Sequence, residues 1–223
     1  MPLSTQVLDS LRAITTPTLS NAIELFNVRP RDQGFMTPDI RCLFPDLGVM
    51  VGSAVTFRFG AKKPAQNPQR RYESWKYILE TPGPRVMVLQ DMDNPTGVGA
   101  YVGEVMATIH QKLGCIGAVT NGCFRDLDEV HALGFHFFAP GVCVSHAYVH
   151  LLDFGVPVEV GGLTIRTGDL IHADKHGVLV VPPETAAELP KAAQKVAERE
   201  ALLLNHCKSP DFSLEELKRL YES

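Results

Sequence analysis

Residues 103–130, with the sequence GEVMATIHQKLGCIGAVTNGCFRDLDEV, constrain the fold most, because their hydrophobic pattern changes period partway along. From Glu104 to Leu113 the apolar residues recur at helical spacing, and Gly114 is suited to a left-handed helix cap. Residues 115–119 are continuously apolar, as in a strand that is buried on both faces. The pattern therefore predicts a helix followed by a buried strand, which is a repeating unit of α/β proteins.

Hydrophobic periodicity predicts the other elements as well. Helices are expected at 5–14, 18–27, 72–79 and 183–206, with a last one beginning at Ser213. Strands are expected at 51–59, 85–90, 135–138, 156–160, 163–165, 170–172 and 177–181, and loops at 28–49 and 61–70. Gly161-Gly162 predicts a two-residue hairpin, and Pro190 should kink or restart its helix. This order of elements predicts a layered α/β domain with more than one sheet.

Composition limits the size and the partners of the chain. A chain of 223 residues with 45% hydrophobic and 21% charged content can bury one sizeable core, so we expect a single domain over 1–223. The helical pattern from about residue 183 to 223 is expected to form a C-terminal extension of that domain. The formal net charge of −4 supplies no basic field for a phosphate backbone, which argues against nucleic acid as a direct partner.

The cysteines and the amino-terminal segment indicate the cellular compartment in which the protein is expected. The five cysteines, at positions 42, 115, 123, 143 and 207, are odd in number and widely spaced, so we expect free, mostly buried thiols in a reducing compartment. The amino-terminal segment MPLSTQVLDSLRAI lacks an apolar stretch long enough for export or for a membrane span. We therefore expect a cytoplasmic protein without a membrane partner.

The glycines at 97, 99 and 103 resemble a dinucleotide-binding turn, but they depart from it in spacing. The last glycine comes one residue late, and six residues separate the preceding strand from Gly97. A loop of this kind that runs into a helix has another use, because the free N–H groups of Glu104, Val105 and Met106 would face a ligand at the positive end of the helix dipole. Such a helix start binds a carboxylate or a phosphate.

Arg125-Asp126 follows the buried strand 115–119, where we expect it to return to the neighbourhood of Glu104. The alternative is structural: Asp126 and Glu129 have the spacing of a helix capping box, and Arg125 could be a surface ion-pair partner. The combination of an anion-binding helix start, a guanidinium and two carboxylates favours a site. Carboxylates without a cysteine or histidine cluster favour Mg²⁺ or Mn²⁺ over Zn²⁺.

Two other kinds of site are disfavoured. His146 and His150 are four residues apart, as are His172 and His176, but neither pair has the intervening glutamate of a zinc protease. We interpret these histidines as core or surface residues. Cys123 is close to Arg125 in the sequence, but no histidine at a recognisable spacing is available to activate it.

The segment from residue 103 to 130 resembles the RraA-like family, which includes 4-hydroxy-4-methyl-2-oxoglutarate aldolases. LGFHFFAPG and VPVEVGGLTIRTGDLIHADKHGVLVVP extend the resemblance downstream, and TPTLSNAI and VGSAVTFRF extend it upstream, so that it covers most of residues 15–200. Its most specific element is an acid, a gap of twenty residues, Arg-Asp and a following acid, which Glu104, Arg125, Asp126 and Glu129 match. Pro140 replaces the basic residue usual before the glycine, and 61–71 is more basic than expected, which affects the choice of substrate.

The resemblance implies a three-layer β/β/α sandwich, similar to a swivelling domain, that assembles as a homotrimer or homohexamer. It implies that Asp126 coordinates Mg²⁺ or Mn²⁺ directly and that Glu104 does so through water. Arg125 would bind the keto and carboxylate oxygens of a 2-oxo acid, and the amides after Gly103, those of Glu104, Val105 and Met106, would receive the carboxylate. An acid from a neighbouring C-terminal helix, Glu198 or Glu200, would complete the site.

Two functions of different classes follow. The first is a metal-dependent lyase that releases pyruvate from 4-hydroxy-2-oxo acids and also decarboxylates oxaloacetate, for which Glu104, Arg125 and Asp126 are the catalytic candidates. The second is a non-enzymatic protein that binds a ribonuclease and regulates it. The resemblance implies this role as well, because some members of the family act in this way. Glu104 favours the enzyme, because a regulator does not need an acid there.

Overall fold

In the computed structural model, residues 3–65 and 70–222 are described. The α-helices in these residues are α1 (Thr5–Arg12), α2 (Thr16–Glu24), α3 (Arg71–Glu80), α4 (Glu104–Lys112), α5 (Leu127–Ala132), α6 (Leu189–Lys208) and α7 (Leu214–Glu222), and a single 3-10 turn lies at Pro45–Leu47. None of the helices in this part of the chain combines the length and the apolarity that a membrane crossing requires.

The strands are short, except for one. They are β1 (Arg41–Cys42), β2 (Met50–Gly60), β3 (Arg85–Asp91), β4 (Cys115–Thr120), β5 (Cys123–Phe124), β6 (His136–Ala139), β7 (Gly141–Val142), β8 (His150–Phe154), β9 (Val158–Val160), β10 (Leu163–Ile165), β11 (Leu170–Asp174) and β12 (Gly177–Val181). The strands predicted at 51–59, 85–90 and 115–119 are confirmed as β2, β3 and β4.

A mixed sheet organises the molecule. Its strand order is β1-β6-β4-β3-β2-β11-β12, and β8 also pairs with β2. The central strands β2, β3, β4 and β6 run parallel, whereas β8, β11, β12 and β1 join antiparallel. Because β2 is long, one of its edges pairs with β11 at Met50–Ser53 and with β8 at Phe57–Gly60. The hairpin β9–β10 and the pair β5–β7 form two further small sheets.

The core lies on both faces of this sheet, as continuous apolar strands require. On one face, Phe57 and Leu89 pack with residues of α3, α4 and α5, such as Ile78, Ala107 and Val130. On the other face, strand residues pack against the β9–β10 hairpin; they include Ala54, Val88, Val119, Val158, Val160 and Ile165. The layers are therefore a small sheet, the main sheet and helices, which confirms the predicted β/β/α arrangement.

A third cluster attaches the terminal helices. Apolar residues of α1, α2 and α6 pack on the end of the sheet formed by β2, β11 and β12; they include Leu11, Leu19, Val51, Leu179, Val181 and Leu189. At the start of α2, the carboxylate of Asp174 accepts a hydrogen bond of 2.9 Å from the backbone N–H of Thr16. The amino- and carboxyl-terminal helices thus cover one end of the sheet together.

Several element boundaries differ from the prediction. Helix α2 begins at Thr16 rather than at residue 18, because Thr15 caps it with its hydroxyl and Pro17 fits the first turn. The helix predicted from residue 183 begins at Leu189, since Pro190 is tolerated only in a first turn. The Gly161-Gly162 hairpin is confirmed, with both glycines in the left-handed region. Strand β8 was not predicted.

The cysteine prediction is wrong for two of the five residues. Cys123 and Cys143 form a disulfide, with their Cα atoms 5.9 Å apart. The pairing of Cys123 with Gly141 in the β5–β7 ladder brings the two cysteines together. Spacing alone does not reveal such a pair, because a connectivity cannot be deduced from sequence. Cys115 is a buried free thiol, Cys42 is half-buried, and Cys207 is exposed.

Buried histidines make the stability depend on pH. Burial lowers the pKa of His110 to about 4, although a hydrogen bond to the carbonyl of Met106 opposes the shift, and burial also lowers the pKa of His136 to about 4. Unfolded histidine has a pKa of about 6.5, so below that value the unfolded chain binds protons that the folded chain does not. The stability that these two neutral histidines contribute is therefore present in full above about pH 6.5, and it is lost as the pH falls towards 4.

We expect the free energy of unfolding to decrease by roughly 2 kcal/mol for each of these two histidines between pH 7.5 and pH 5. Urea titrations followed by circular dichroism at the two pH values measure the change. His110→Gln should weaken the dependence on pH, because it removes one of the two groups. Equal unfolding midpoints at both pH values in the unmodified protein would contradict the assignment.

The disulfide predicts the number of thiols that react. Protein denatured without a reductant should take up three alkylating groups, because two of its five cysteines are bonded to each other. After reduction it should take up five, and intact-mass spectrometry distinguishes the two products. Cys143→Ser should leave four reactive thiols under both conditions. Five modified cysteines before reduction would show that the bond is not formed.

Candidate functional site

The predicted site residues meet because they follow neighbouring parallel strands. The loop after β3 leads into α4, which begins at Glu104, and the turn after β4 leads through β5 to Arg125 and Asp126. The carboxyl ends of adjacent parallel strands lie at one edge of a sheet, where ligand sites of open α/β sheets form. The structure therefore brings Glu104, Arg125 and Asp126 to the same place, as the spacing predicts.

Asp126 has an unusual backbone conformation. Its φ of 57° and ψ of 52° lie in the left-handed region, which non-glycine residues adopt at a cost of roughly 1–3 kcal/mol. In this conformation its carboxylate Oδ2 accepts a hydrogen bond of 3.0 Å from the backbone N–H of Glu104. The side chain is 33% exposed, so it remains open to a ligand. The carboxylate thus faces the amino terminus of α4.

The capping-box interpretation of Asp126 and Glu129 is not supported. Asp126 precedes α5, but its side chain makes no capping hydrogen bond to that helix. Its carboxylate lies at the start of α4 instead, where the helix dipole favours a negative charge. The conformation therefore positions the carboxylate for the site rather than for the stability of its own helix.

Arg125 and Gly103 complete the close packing around this carboxylate. The Nε of Arg125 lies 3.4 Å from Oδ2 of Asp126, and both side chains are 33% exposed. A Cβ atom on Gly103 would lie 2.3 Å from the same Oδ2 and 3.0 Å from Cγ of Arg125. Gly103 is therefore required by the close approach of the two side chains, although its own φ of −134° is accessible to any residue.

The first turn of α4 presents backbone N–H donors and the exposed carboxylate of Glu104. Gly103 caps the helix without a side chain, and the N–H groups of Val105 and Met106 belong to the first turn, which has no acceptors within the helix. Glu104 and Val105 are exposed. Since Asp126 already accepts the amide of Glu104, the amides of Val105 and Met106 are the better candidates for binding a carboxylate.

The residues present fit a hydrated hard cation rather than zinc. Within the described residues no group of three or more histidine, cysteine, aspartate or glutamate side chains could hold a metal. The hydrogen bond to Glu104 and the contact with Arg125 use Oδ2 of Asp126, which leaves Oδ1 for a cation, and the exposed Glu104 carboxylate begins the adjacent helix. Mg²⁺ is commonly bound by one or two carboxylates and several waters, whereas zinc needs three or four protein ligands.

A cavity of about 420 Å³ opens at Arg125 and the start of α4. Gly103, Val105, Met106 and Arg125 line one part of it. The other ionisable side chains that line it are Arg71, Tyr101, His146, Tyr148 and His150. Burial raises the pKa of Tyr101 to about 12, although the positive charge of Arg71 opposes the shift, so its hydroxyl stays protonated at neutral pH. Among the residues that the structure describes, no aspartate or glutamate lines the cavity, which therefore suits an anion.

Residues 146–150 form one wall of the cavity, which was not predicted from the sequence. Ala100 donates a hydrogen bond of 3.0 Å to the carbonyl of Ser145, and Tyr148 donates one of 3.0 Å to the carbonyl of Ala61. Ala147 has a φ of 46°, a second left-handed non-glycine residue at the site. His146 is exposed and His150 is half-buried, in line with their interpretation as surface residues, and both line the cavity. No pattern in the sequence indicated this.

The other proposed histidine pair has a structural role. His172 is buried and lies 3.1 Å from both the hydroxyl of Thr16 and the carbonyl of Leu11, so it links the terminal helices to β11. Asp174 connects the same elements. Burial would raise the pKa of its carboxyl, but hydrogen bonds from the backbone N–H groups of Thr16 and His176 lower it overall. This pair is consistent with the interpretation as core and surface residues.

The two acids of the C-terminal helix lie on α6. Glu198 accepts a hydrogen bond of 2.8 Å from Gln194, and Glu200 accepts one of 3.3 Å from Asn21 on α2. Both glutamates are exposed, and neither lines the cavity of its own chain. The choice between them therefore stays open.

Comparison with known proteins identifies related sequences. Residues 16–180 match the RraA-like family under the description Aldolase/RraA. A Halalkalibacterium halodurans protein, provisionally named 4-hydroxy-4-methyl-2-oxoglutarate aldolase, is 35% identical over 104 residues, which cover 46% of this chain and 50% of the relative. An uncharacterised Methanocaldococcus jannaschii protein is 32% identical over 109 residues, 47% of this chain and 52% of that one. The chain spans about half the length of the curated relatives that it matches.

Solved structures share the fold over nearly the whole chain. An uncharacterised protein from Pseudomonas syringae pv. tomato superposes with a TM-score of 0.76 and 27% identity, over 98% of this chain and 95% of that one. A Streptomyces coelicolor protein, described as an unusual member of the RNase ES inhibitor RraA protein family, has a TM-score of 0.70 and 21% identity. The latter comparison covers 91% of this chain and 97% of the other, and it supports the fold alone.

We expect Gly103→Ala to disrupt the site without unfolding the protein, because the added methyl group would overlap the Asp126 carboxylate. Asp126 and Arg125 must then move. Calorimetric titration with pyruvate in the presence of Mg²⁺ should show affinity reduced by at least about tenfold. Gly141→Ala is the matched control, because a Cβ atom there has open space. Unchanged pyruvate affinity in Gly103→Ala would refute the role of this contact.

Proposed function

The chain belongs to the RraA-like family, and we propose that it is a divalent-metal-dependent pyruvate aldolase acting on 4-hydroxy-2-oxo acids such as 4-hydroxy-4-methyl-2-oxoglutarate. The provisional names of several relatives support a lyase of this kind. The observation that carries the proposal is the position of Asp126. Its left-handed backbone places a carboxylate that is one-third exposed at the start of α4, beside Arg125 and a cavity whose described lining has no acidic side chain.

The pyruvyl part of the substrate would bind at the amino terminus of α4. The free amides of Val105 and Met106 donate hydrogen bonds to its carboxylate, and the helix dipole favours the negative charge. The guanidinium of Arg125 donates to the C2 keto oxygen and to the same carboxylate, for which its planar pair of donors is suited. This orientation directs C4 and its substituents towards the rest of the cavity.

Cleavage then breaks the C3–C4 bond. The C4 hydroxyl loses its proton to the Glu104 carboxylate through an intervening water, and C4 becomes the carbonyl carbon of the second product. The electron pair of the broken bond moves to C3 and the C2 oxygen, forming the enolate of pyruvate. Arg125 stabilises the charge that develops on this oxygen. The proton returns to C3, and pyruvate is released.

A bound Mg²⁺ or Mn²⁺, held directly by Asp126 and through water by Glu104, would act as a Lewis acid towards the keto oxygen. Oxaloacetate has a carboxylate in place of the carbinol carbon, and its decarboxylation gives the same enolate. Arg125 and the amides would bind it in the same way. We therefore include oxaloacetate decarboxylation as a companion activity.

We also propose that the protein is a homotrimer or homohexamer in which Glu198 or Glu200 reaches a neighbouring site. Both acids are exposed on α6 and lie away from the cavity of their own chain. The C-terminal helices also expose large apolar residues, namely Leu202, Leu204, Leu214 and Tyr221. An apolar surface of this kind is typical of a region that another subunit covers.

The proposal predicts metal-dependent release of pyruvate. Purified protein supplied with 4-hydroxy-4-methyl-2-oxoglutarate and Mg²⁺ should form pyruvate, measured with coupled lactate dehydrogenase, and EDTA should abolish the reaction. Arg125→Lys should lower kcat/KM by roughly 10²-fold or more, because lysine cannot bind the keto and carboxylate oxygens together.

Arg166→Lys is the matched control, because Arg166 is exposed and does not line the cavity. Turnover that persists in EDTA would exclude the proposed chemistry. Protein that releases no pyruvate but inhibits a ribonuclease in a direct assay would support the regulator instead.

A further inference from the structure

The cavity contains more basic side chains than the pyruvyl group requires. Arg125 and the α4 amides account for one carboxylate, yet Arg71, His146 and His150 also line the same space. The chain as a whole carries a formal net charge of −4, so a cavity whose ionisable side chains are bases and tyrosines is a local departure from its composition. Clefts lined by one sign of charge concentrate ligands of the opposite sign.

The charge of Arg71 is not explained by its position in the helix or by an ion pair of the described residues. It is the first residue of α3, where a positive charge is unfavourable next to the helix dipole. Among the ion pairs and side-chain hydrogen bonds of the described residues, its guanidinium takes part in none. A charge in this position, lining a cavity and without an ion-pair partner in residues 3–65 and 70–222, is suited to binding an anion from outside the chain.

The two histidines are held with one nitrogen directed away from the backbone. Nδ1 of His146 donates to the carbonyl of Ala147 at 2.7 Å, and Nδ1 of His150 donates to the carbonyl of Tyr148 at 2.8 Å. The carbonyl acceptors require a proton on Nδ1 of each ring, so Nε2 is the nitrogen that these backbone contacts leave open. The left-handed conformation of Ala147 belongs to the same turn.

We propose that Arg71, with His146 and His150 lining the same cavity, binds a second carboxylate at the far end of the substrate. This inference rests on the proposed aldolase function, and it assigns Arg71 as a specificity-determining residue. 4-Hydroxy-4-methyl-2-oxoglutarate already carries its second carboxylate on C4, and Arg71 would be the residue that distinguishes such a substrate from one with a methyl group in place of that carboxylate. A cavity of about 420 Å³ is within the usual range for small ligands, about 300–1,000 Å³.

The test compares substrates that differ only at the far end. Values of kcat/KM are measured for 4-hydroxy-2-oxoglutarate and 4-hydroxy-2-oxopentanoate with Mg²⁺ and coupled lactate dehydrogenase. The unmodified protein should prefer the dicarboxylate, and Arg71→Gln should lower kcat/KM for it by about 10- to 100-fold. The monocarboxylate should change by less than about twofold, because it does not reach Arg71. Equal losses for both substrates would overturn the assignment.

Binding of unreactive ligands separates this inference from the aldolase proposal. Calorimetric Kd values are measured for 2-oxoglutarate and 2-oxopentanoate, which have the same chain length. The unmodified protein should bind 2-oxoglutarate at least about tenfold more tightly, and Arg71→Gln should remove that difference. Equal binding of the two ligands by the unmodified protein would overturn the inference, whether or not either substrate is cleaved. Absence of cleavage with a retained difference in Kd would refute only the aldolase.

Arg70→Gln is the matched control for charge. Arg70 precedes Arg71 in the chain, but its guanidinium lies 4.6 Å from the ring centroid of Phe154 and does not line the cavity. The substitution removes the same charge from the same segment, so it should leave the preference for the dicarboxylate within about twofold. A loss of preference as large as that of Arg71→Gln would mean that net charge, rather than a contact, determines the choice of substrate.

Discussion

The hydrogen bond between the backbone N–H of Glu104 and the carboxylate of Asp126 determines the geometry of the site. It joins the start of α4 to the start of α5, two helices that follow adjacent parallel strands. The left-handed backbone of Asp126 costs roughly 1–3 kcal/mol, whereas a charge at a helix terminus contributes only about 0.3–1 kcal/mol. Stability alone therefore does not explain this arrangement. Its consequence is a carboxylate held beside Arg125 with one oxygen left for a ligand.

Gly103 permits this contact and connects it to the cavity. Any side chain there would occupy the space of the Asp126 carboxylate, so the loop must approach with bare backbone. The same backbone leads into the free amides of α4, which face the cavity together with Arg125. One glycine thus allows the carboxylate of Asp126 to lie against the first turn of α4, whose amides have no acceptor within the helix.

The sequence predicted the parts of the fold that depend on local pattern. Continuous apolar runs identified β3 and β4, Gly114 marked the end of α4, and the double glycine marked the β9–β10 hairpin. The convergence of Glu104 with Arg125 and Asp126 followed from the parallel order of these strands. The β8 strand was missed because its first residue is a histidine and its pattern is short and half-exposed. The left-handed Asp126 was missed because an acid before a helix has the same pattern as an ordinary cap.

The wall formed by residues 146–150 could not be predicted, because long-range contacts rather than local pattern hold it in place. Hydrogen bonds from Ala100 and Tyr148 attach it to the loop before α4 and to the end of β2. The disulfide between Cys123 and Cys143 adds a covalent link. Cys123 lies two residues before Arg125, and Cys143 lies three before His146. The bond therefore connects the segment that carries Arg125 to the segment that carries His146, and both residues line the cavity. A covalent link at this point limits how far the two ends of the cavity can separate.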